Sequence, residues 1–331
     1  MPEGHTLHRL ARLHTRYFAG GPVRVSSPQG RFVDHVVVDG RYFDHATATG
    51  KHLFHHYEGG LAVHIHLGLY GFFDTHLVED GAEPPAPVGQ VRMRVGGSGE
   101  AARGGPAHVV DLRGPTRCEV VDDDGVADVR DRLGPDPLDP DADPERAWAR
   151  IRRSSRPIGA LLMGQKVLAG VGNVYRAEVL FRAGIDPFRP GTAMREAEFR
   201  AMWDDLVALM AVGVDTGAIH TIRDEHDHGD LPRRGTDRPR NYVYQRDGWE
   251  CRVCGTEIAL QTMEARTLFW CPTCQAGRGS ASRGRMPRAV GDRPGGASCG
   301  AGDGNRTRVF CLEGRGFTIK LHPHPRRDLA F

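Results

Sequence analysis

Four cysteines spaced Cys251-x2-Cys254-x16-Cys271-x2-Cys274 restrict the fold of this chain more than any other feature. Each Cys-x2-Cys bends the backbone into a knuckle, and four thiolates at this spacing close a tetrahedral zinc site. A site with four protein ligands has no position left for substrate, so its role is structural; a redox pair is the alternative use of such a motif. A rigid β-hairpin between the knuckles presents whatever side chain stands at its tip, and Arg266, followed by Thr267 and the apolar run to Trp270, is placed to be that side chain. A guanidinium fork suits phosphate, and a solvent-facing strand arginine is the ordinary alternative. Seven cysteines, four of them in this motif, suit a reducing compartment. No apolar run of about 18 residues and no signal-peptide core occurs, so the expectation is a soluble, cytoplasmic protein without a membrane partner.

At 331 residues the chain has room for two or three cores. After a first helix predicted from near Thr6, by apolar spacing at Leu7, Leu10, Ala11, Tyr17 and Phe18, short alternating runs at 23–25, 32–38, 61–67, 91–95 and 108–112 predict strands of a β-sandwich or barrel. This N-terminal unit is expected to span 1–128. Residues 122–145 are rich in Asp and Pro, and 129–145 read as a solvated acidic linker. Helical periodicity follows over 146–220, including a segment at 196–212. Residues 221–241 read as a mobile loop, 242–276 as the zinc unit, and 277–331 as a disordered Gly/Arg-rich tail. The formal net charge is only +2, but 277–331 hold eleven Lys or Arg against four Asp or Glu. Any nucleic-acid surface in the body therefore needs segregated rather than excess charge.

The opening Pro2-Glu3 offers chemistry. A small residue after the initiator permits methionine removal, which exposes the secondary amine of Pro2. Free α-amino groups titrate near pH 8, so an unprotonated fraction can attack a carbonyl-like carbon, and the positive end of the following helix favours that form. Gly170-Val171-Gly172-Asn173 precedes a helix and follows no strand, and no Lys-Ser or Lys-Thr follows it. A nucleotide loop is thereby excluded, leaving a backbone phosphate at the helix-start amides, with Lys166 as an added charge, or simply tight helix packing. Gly50-Lys51 reads as the far end of a hairpin with Lys51 at its exit. His52, His55, His56, His64 and His66 read as polar strand positions and receive no ligand role.

Taken together, Pro2-Glu3-Gly4, Gly50-Lys51, Leu69-Tyr70-Gly71, Gln165-Lys166 through Asn173, and Arg266 ahead of Cys271-Pro272-x-Cys274 resemble the formamidopyrimidine-DNA glycosylase and endonuclease VIII family. The opening Pro-Glu-Gly-His-Thr-Leu-His-Arg is most similar to its actinobacterial endonuclease VIII-like branch. The resemblance covers residues 2–275. It implies an α+β architecture: an N-terminal β-sandwich with a leading helix, a helix-two-turn-helix domain and a C-terminal zinc-finger β-hairpin with one structural Zn2+. It further implies a monomeric, bifunctional DNA glycosylase/AP lyase acting on damaged or abasic DNA, with oxidised pyrimidines favoured. On this reading Pro2 attacks the deoxyribose C1′, Glu3 carries protons, and Lys51, Asn173 and Arg266 grip flanking phosphates. Leu69 and Tyr70 fill the stack vacated by an extruded base. Gly68 and Thr6 depart from the family pattern, where polar and acidic residues are expected. A damage-binding protein without catalysis is the alternative, against which the presence of both Pro2 and Glu3 argues.

Overall fold

Helix α1 (Gly4–Phe18) begins two residues earlier than its apolar spacing predicts and buries Leu7, Ala11, His14 and Phe18 along one face. The computed structural model describes residues 2–79, 82–97, 105–227 and 241–276. Eight strands follow, β1 (Gly21–Ser26), β2 (Tyr42–Thr49), β3 (His52–Tyr57), β4 (Leu61–His66), β5 (Phe72–Val78), β6 (Val91–Gly97), β7 (Ala107–Arg113) and β8 (Arg117–Asp122). They pair antiparallel in the order β5-β7-β6-β1-β2-β3-β4-β8. Strand β1 changes partner midway: Gly21 and Pro22 pair with β2, and residues 23–26 pair with β6. The sheet folds over at this strand, and its halves share one core. Leu53, Val63 and Ile65 come from one half, Met93, Val95, Val110 and Leu112 from the other, joined by Leu7 and Phe18 of α1.

Two expectations need correction. Residues 32–38 are not a strand: they turn after Gly30 into the short helix α2 (His35–Val38), burying Phe32 and Val38 but leaving Val33, Val36 and Val37 exposed. The run is apolar, yet among the described residues no strand pairs with it. Nor is the Asp/Pro-rich stretch a solvated linker. Residues 123–131 form helix α3 (Asp123–Asp131), capped by the Asp122 side chain, which packs Val126 and Val129 with Leu133 on Phe54 and Ala62 of the sheet. Asp136 beyond it is buried because its carboxylate has protein partners in place of water.

Helices α4 (Pro144–Ile151), α5 (Ile158–Leu161), α6 (Asn173–Arg182) and α7 (Glu196–Thr216) enclose a second core around Trp148, Leu161, Tyr175, Val179, Phe199 and Leu206. Helix α7 ends at Gly217, whose φ of 76° is the left-handed cap that favours glycine. Helix α6 is buried on every side, so its polar Arg176 and Glu178 lie inside the protein. Glu178 serves as an internal fastener: its carboxylate accepts backbone N–H bonds from Tyr242, Val243 and Tyr244 at 2.7–2.8 Å and the hydroxyl of Thr221. Those contacts hold the C-terminal hairpin, β9 (Ala259–Met263) and β10 (Arg266–Trp270), against the helices. The turn between these strands is Glu264-Ala265, with φ of 52° and 55°, the paired left-handed conformation of a tight two-residue hairpin. Of the expected mobile loop, residues 221–227 include a buried Thr221 and a turn at Asp224–His226; 228–240 and the tail lie outside the described residues. Among the described residues no helix is long and apolar enough to cross a membrane.

His14 of α1 and His55 of β3 are fully buried and share a 2.8 Å hydrogen bond. Burial lowers His14 to about 3 and His55 well below its ordinary value, so both are neutral in the native state. The unfolded chain takes up protons below about pH 6.5 and the folded one does not, so stability is complete above that pH and declines as pH falls. Thermal melting between pH 7.5 and 5 is expected to show a loss that steepens below pH 6.5 towards about 2.7 kcal/mol per pH unit from this pair, about 1.4 for each of the two protons gained on unfolding. His14→Leu should flatten that dependence.

Candidate active site

Pro2 is partly buried, and Glu3 behind it is completely so. Glu3 caps α1 with extended backbone, and its side chain crosses to the start of α6. One carboxylate oxygen accepts from the Val174 amide at 2.8 Å; the other accepts from Gly172 at 3.0 Å and Tyr175 at 3.3 Å. The anion at the glycine-rich helix start is therefore the chain's own carboxylate, and an external phosphate finds those three amides taken. The approach is close enough that a Cβ on Gly172 would stand 2.4 Å from the Glu3 carboxyl carbon, and one on Gly4 would stand 2.9 Å from the Gly170 Cα. Burial raises the Glu3 pKa, while Lys51 and the three amides work against that rise. Its carboxyl is thereby held nearer to proton exchange than an exposed glutamate.

Lys51 sits in the β2–β3 turn beside Gly50, which has φ of 59°. Burial lowers the Lys51 pKa; Glu3 raises it and Arg266 lowers it further, so these three charges share one field. The buried Asp136 fixes the turn: its Oδ2 accepts the Gly50 amide at 2.6 Å and His8 Nε2 of α1 at 2.8 Å, and Leu138 N–H binds Oδ1 at 3.0 Å. On the opposite side, Asn173 Nδ2 and Arg176 Nη2 both donate to the Thr267 carbonyl, at 2.9 and 3.1 Å, locking the backbone next to Arg266. Arg266 is exposed at the end of the hairpin turn. The Asn173 amide group is thus engaged inside the protein, its oxygen accepting from Arg176.

Leu69 and Tyr70 project from the β4–β5 turn, Tyr70 being 81% exposed. Gly68 before them is explained by its place: φ is 69°, and a Cβ would lie 2.4 Å from the Thr116 methyl. Lys166 is exposed, and its carbonyl accepts from Arg150; no contact brings its side chain to Glu3 or Lys51 among the described residues. The sulfurs of Cys251, Cys254, Cys271 and Cys274 all lie within 4.8 Å of one another, placed to hold one metal ion, and among the described residues this is the sole such cluster. The histidines of β3 and β4 form none. Gln275 ties the second knuckle to the helices, accepting the Cys271 amide and donating to the Ile185 carbonyl, both at 2.9 Å.

Asp136, Arg176 and Glu178 were not singled out in the sequence. The signal for the last two was a charged pair inside a helix otherwise apolar on all faces, where unpaired charges are rarely tolerated. Asp136 was hidden by the Asp-rich composition around it.

Residues 1–118 match the formamidopyrimidine-DNA glycosylase N-terminal domain, and residues 133–224 match the formamidopyrimidine-DNA glycosylase H2TH domain. The chain belongs to the formamidopyrimidine-DNA glycosylase family. Endonuclease 8 1 of Mycobacterium tuberculosis (strain ATCC 25618 / H37Rv) is 59% identical over 276 residues, 83% of this chain and 100% of that protein. The crystal structure of the MutM (Fpg) protein from Thermus thermophilus is 28% identical with a TM-score of 0.63, over 83% of this chain and 99% of that one. The Lactococcus lactis Fpg in complex with an abasic site containing DNA, 18% identical, shares the fold with a TM-score of 0.64 over 83% of this chain and 100% of that one. As a member of the family the chain is a DNA glycosylase with AP lyase activity.

Gly172→Ala should force Glu3 off the α6 amides while leaving both cores intact. Single-turnover cutting of an abasic duplex is expected to fall roughly a hundredfold, with circular dichroism unchanged.

Proposed function

We propose that this glycosylase removes oxidised bases, pyrimidines in preference, and cuts the strand through a Schiff base on Pro2. The observation that carries the reading is the clasp on Glu3, because it fixes the reactive terminus at the meeting of the two cores rather than leaving it loose. The Pro2 amine attacks C1′ as the bond to the base breaks, and Glu3, with its raised pKa, delivers a proton to the ring oxygen as the sugar opens to the imine. Loss of a C2′ proton then expels the 3′ phosphate by β-elimination, and δ-elimination expels the 5′ phosphate. Lys51 and Arg266, in one field with Glu3, hold the flanking phosphates. Asn173 aligns that grip through Thr267, and Lys166 adds a more distant charge. The exposed Leu69 and Tyr70 fill the stack left by the extruded nucleotide.

The metal is zinc. A tetrahedral Zn–S4 centre with bonds of about 2.3 Å sets its sulfurs about 3.8 Å apart. Cys251–Cys274 and Cys254–Cys271 stand at 3.8 and 3.4 Å. Such an ion braces the hairpin that carries Arg266. The working division is a catalytic sandwich at 1–128, a connecting segment at 129–145, a helix-two-turn-helix unit at 146–220 and a zinc finger at 242–276. The protein acts as a monomer in the bacterial cytoplasm on damaged or abasic duplexes.

Borohydride reduction on a duplex with one abasic site is expected to trap an adduct on the N-terminal Pro2 peptide, read by mass spectrometry. Pro2→Gly should abolish it, and Glu3→Gln should slow strand cutting about a hundredfold or more while duplex binding persists. No adduct from a DNA-binding protein with Met1 removed would leave a damage-binding function instead. Cys254→Ser is expected to lose the bound zinc and weaken duplex affinity, measured by metal analysis and fluorescence anisotropy.

A further inference from the structure

The first turn of α1 carries polar groups that neither the phosphate grips nor the zinc unit uses. His5 is 4% exposed, and its Nδ1 is buried without a hydrogen-bond partner. Its Nε2 lies 3.3 Å from the Thr6 hydroxyl. The ring stands edge-on to Tyr175, with centroids 5.4 Å apart and planes at 82°. Tyr175 is the residue whose backbone N–H binds Glu3, and its own hydroxyl is likewise buried without a partner. Both rings converge on bare backbone of α7. A Cβ at Gly213 would lie 2.5 Å from the Tyr175 oxygen and 3.0 Å from Cγ and Cδ2 of His5. Three helices therefore meet at this ring pair, two residues beyond the Glu3 cap that follows Pro2.

Unpartnered buried polar atoms are costly, and phenylalanine at either position would fill the same space without that penalty. The presence of both points to a use in the chemistry next to them. We propose that His5, acting through Tyr175, is a positioning residue for the N-terminal nucleophile, holding the Pro2-Glu3 turn on α6. The inference rests on Pro2 being that nucleophile. Burial above all lowers His5 to about 4, so the ring is neutral at working pH. The charged groups facing this end of α1 are Glu3 itself, Lys51 from the β2–β3 turn, Arg176 from α6 and Arg266 from β10. Asp136 is engaged by Gly50 and His8, and α7 presents Gly213 and Met210 there. Lys51 and Arg176 thus share the field of the Glu3 carboxylate, and Arg266 lies in the field of both. A protonated or carboxylate side chain at position 5 or 6 would change that balance directly.

The test uses the full-length, zinc-loaded protein with Met1 removed, and measures the rate of borohydride trapping on an abasic duplex against pH, alongside duplex affinity and melting temperature. His5→Phe keeps the ring and its packing. It is expected to hold affinity within about twofold and melt no lower, yet to trap roughly tenfold more slowly, with the acid limb of the pH profile moved by about half a unit. His5→Asn, which restores a polar side chain, should recover part of the rate, and Thr6→Glu should move the acid limb upward. Wild-type rate and pH profile in His5→Phe would overturn the proposal, as would a rate loss matched by equal loss of affinity and melting temperature. If His5→Phe fails to fold, Tyr175→Phe decides on the same readouts. Absence of a wild-type adduct would instead remove the nucleophile assignment itself.

Discussion

A fully buried carboxylate is one of the costliest groups a protein can hold, and Glu3 is such a group. Three amides at the start of α6, together with the partial positive charge of that helix end, offset its desolvation. Much of the surrounding sequence follows from this requirement. Gly4, Gly170 and Gly172 are bare because the first residues must lie against the helix start at backbone contact distance. The 2.8 Å bond from the Gly4 amide to the Gly170 carbonyl completes the seam. Sheet and helices, which own separate cores, are joined where the reactive end of the chain sits.

The same helix organises the far side of the site. Asn173 and Arg176 hold the backbone next to Arg266, and Glu178, two residues further, holds the segment leading into the metal hairpin. Lys51 is set from another direction, through Asp136, which also binds α1. Lys51 and Arg266 are thus carried by two unrelated turns, one anchored by the buried Asp136 and the other by the buried Asn173 and Arg176. Rigid support of this kind is what keeps a catalytic constellation within the tolerance its chemistry demands.

Residues with distinctive chemistry were legible from the sequence. The Cys-x2-Cys pairs, the Pro2-Glu3 start, the Gly50-Lys51 turn and the Leu69-Tyr70 projection all lie where their patterns placed them. The glycine-rich helix start was read as either a phosphate site or tight helix packing; it is packed at backbone contact and its amides do hold an anion, but spacing along a chain cannot reveal that a glutamate 169 positions away supplies the charge. Residues 32–38 failed for a related reason: apolarity signals burial or pairing, and only the fold shows that no strand is there to pair with. Asp136 was lost in a run of similar residues, although its burial sets it apart from all of them.

Helix α6 accepts one carboxylate at its N-terminal end and carries another, Glu178, on its own second turn, aimed at a different part of the chain. Each residue added to a helix rotates everything beyond it by about 100° and advances it about 1.5 Å. A single insertion between Asn173 and Glu178 would leave the clasp on Glu3 intact while swinging Glu178 away from the amides of residues 242–244. The five-residue interval therefore works as a ruler. Apolar side chains along α6 are open to exchange wherever volume is kept, but its length is not, and any change in chain length has to be absorbed elsewhere.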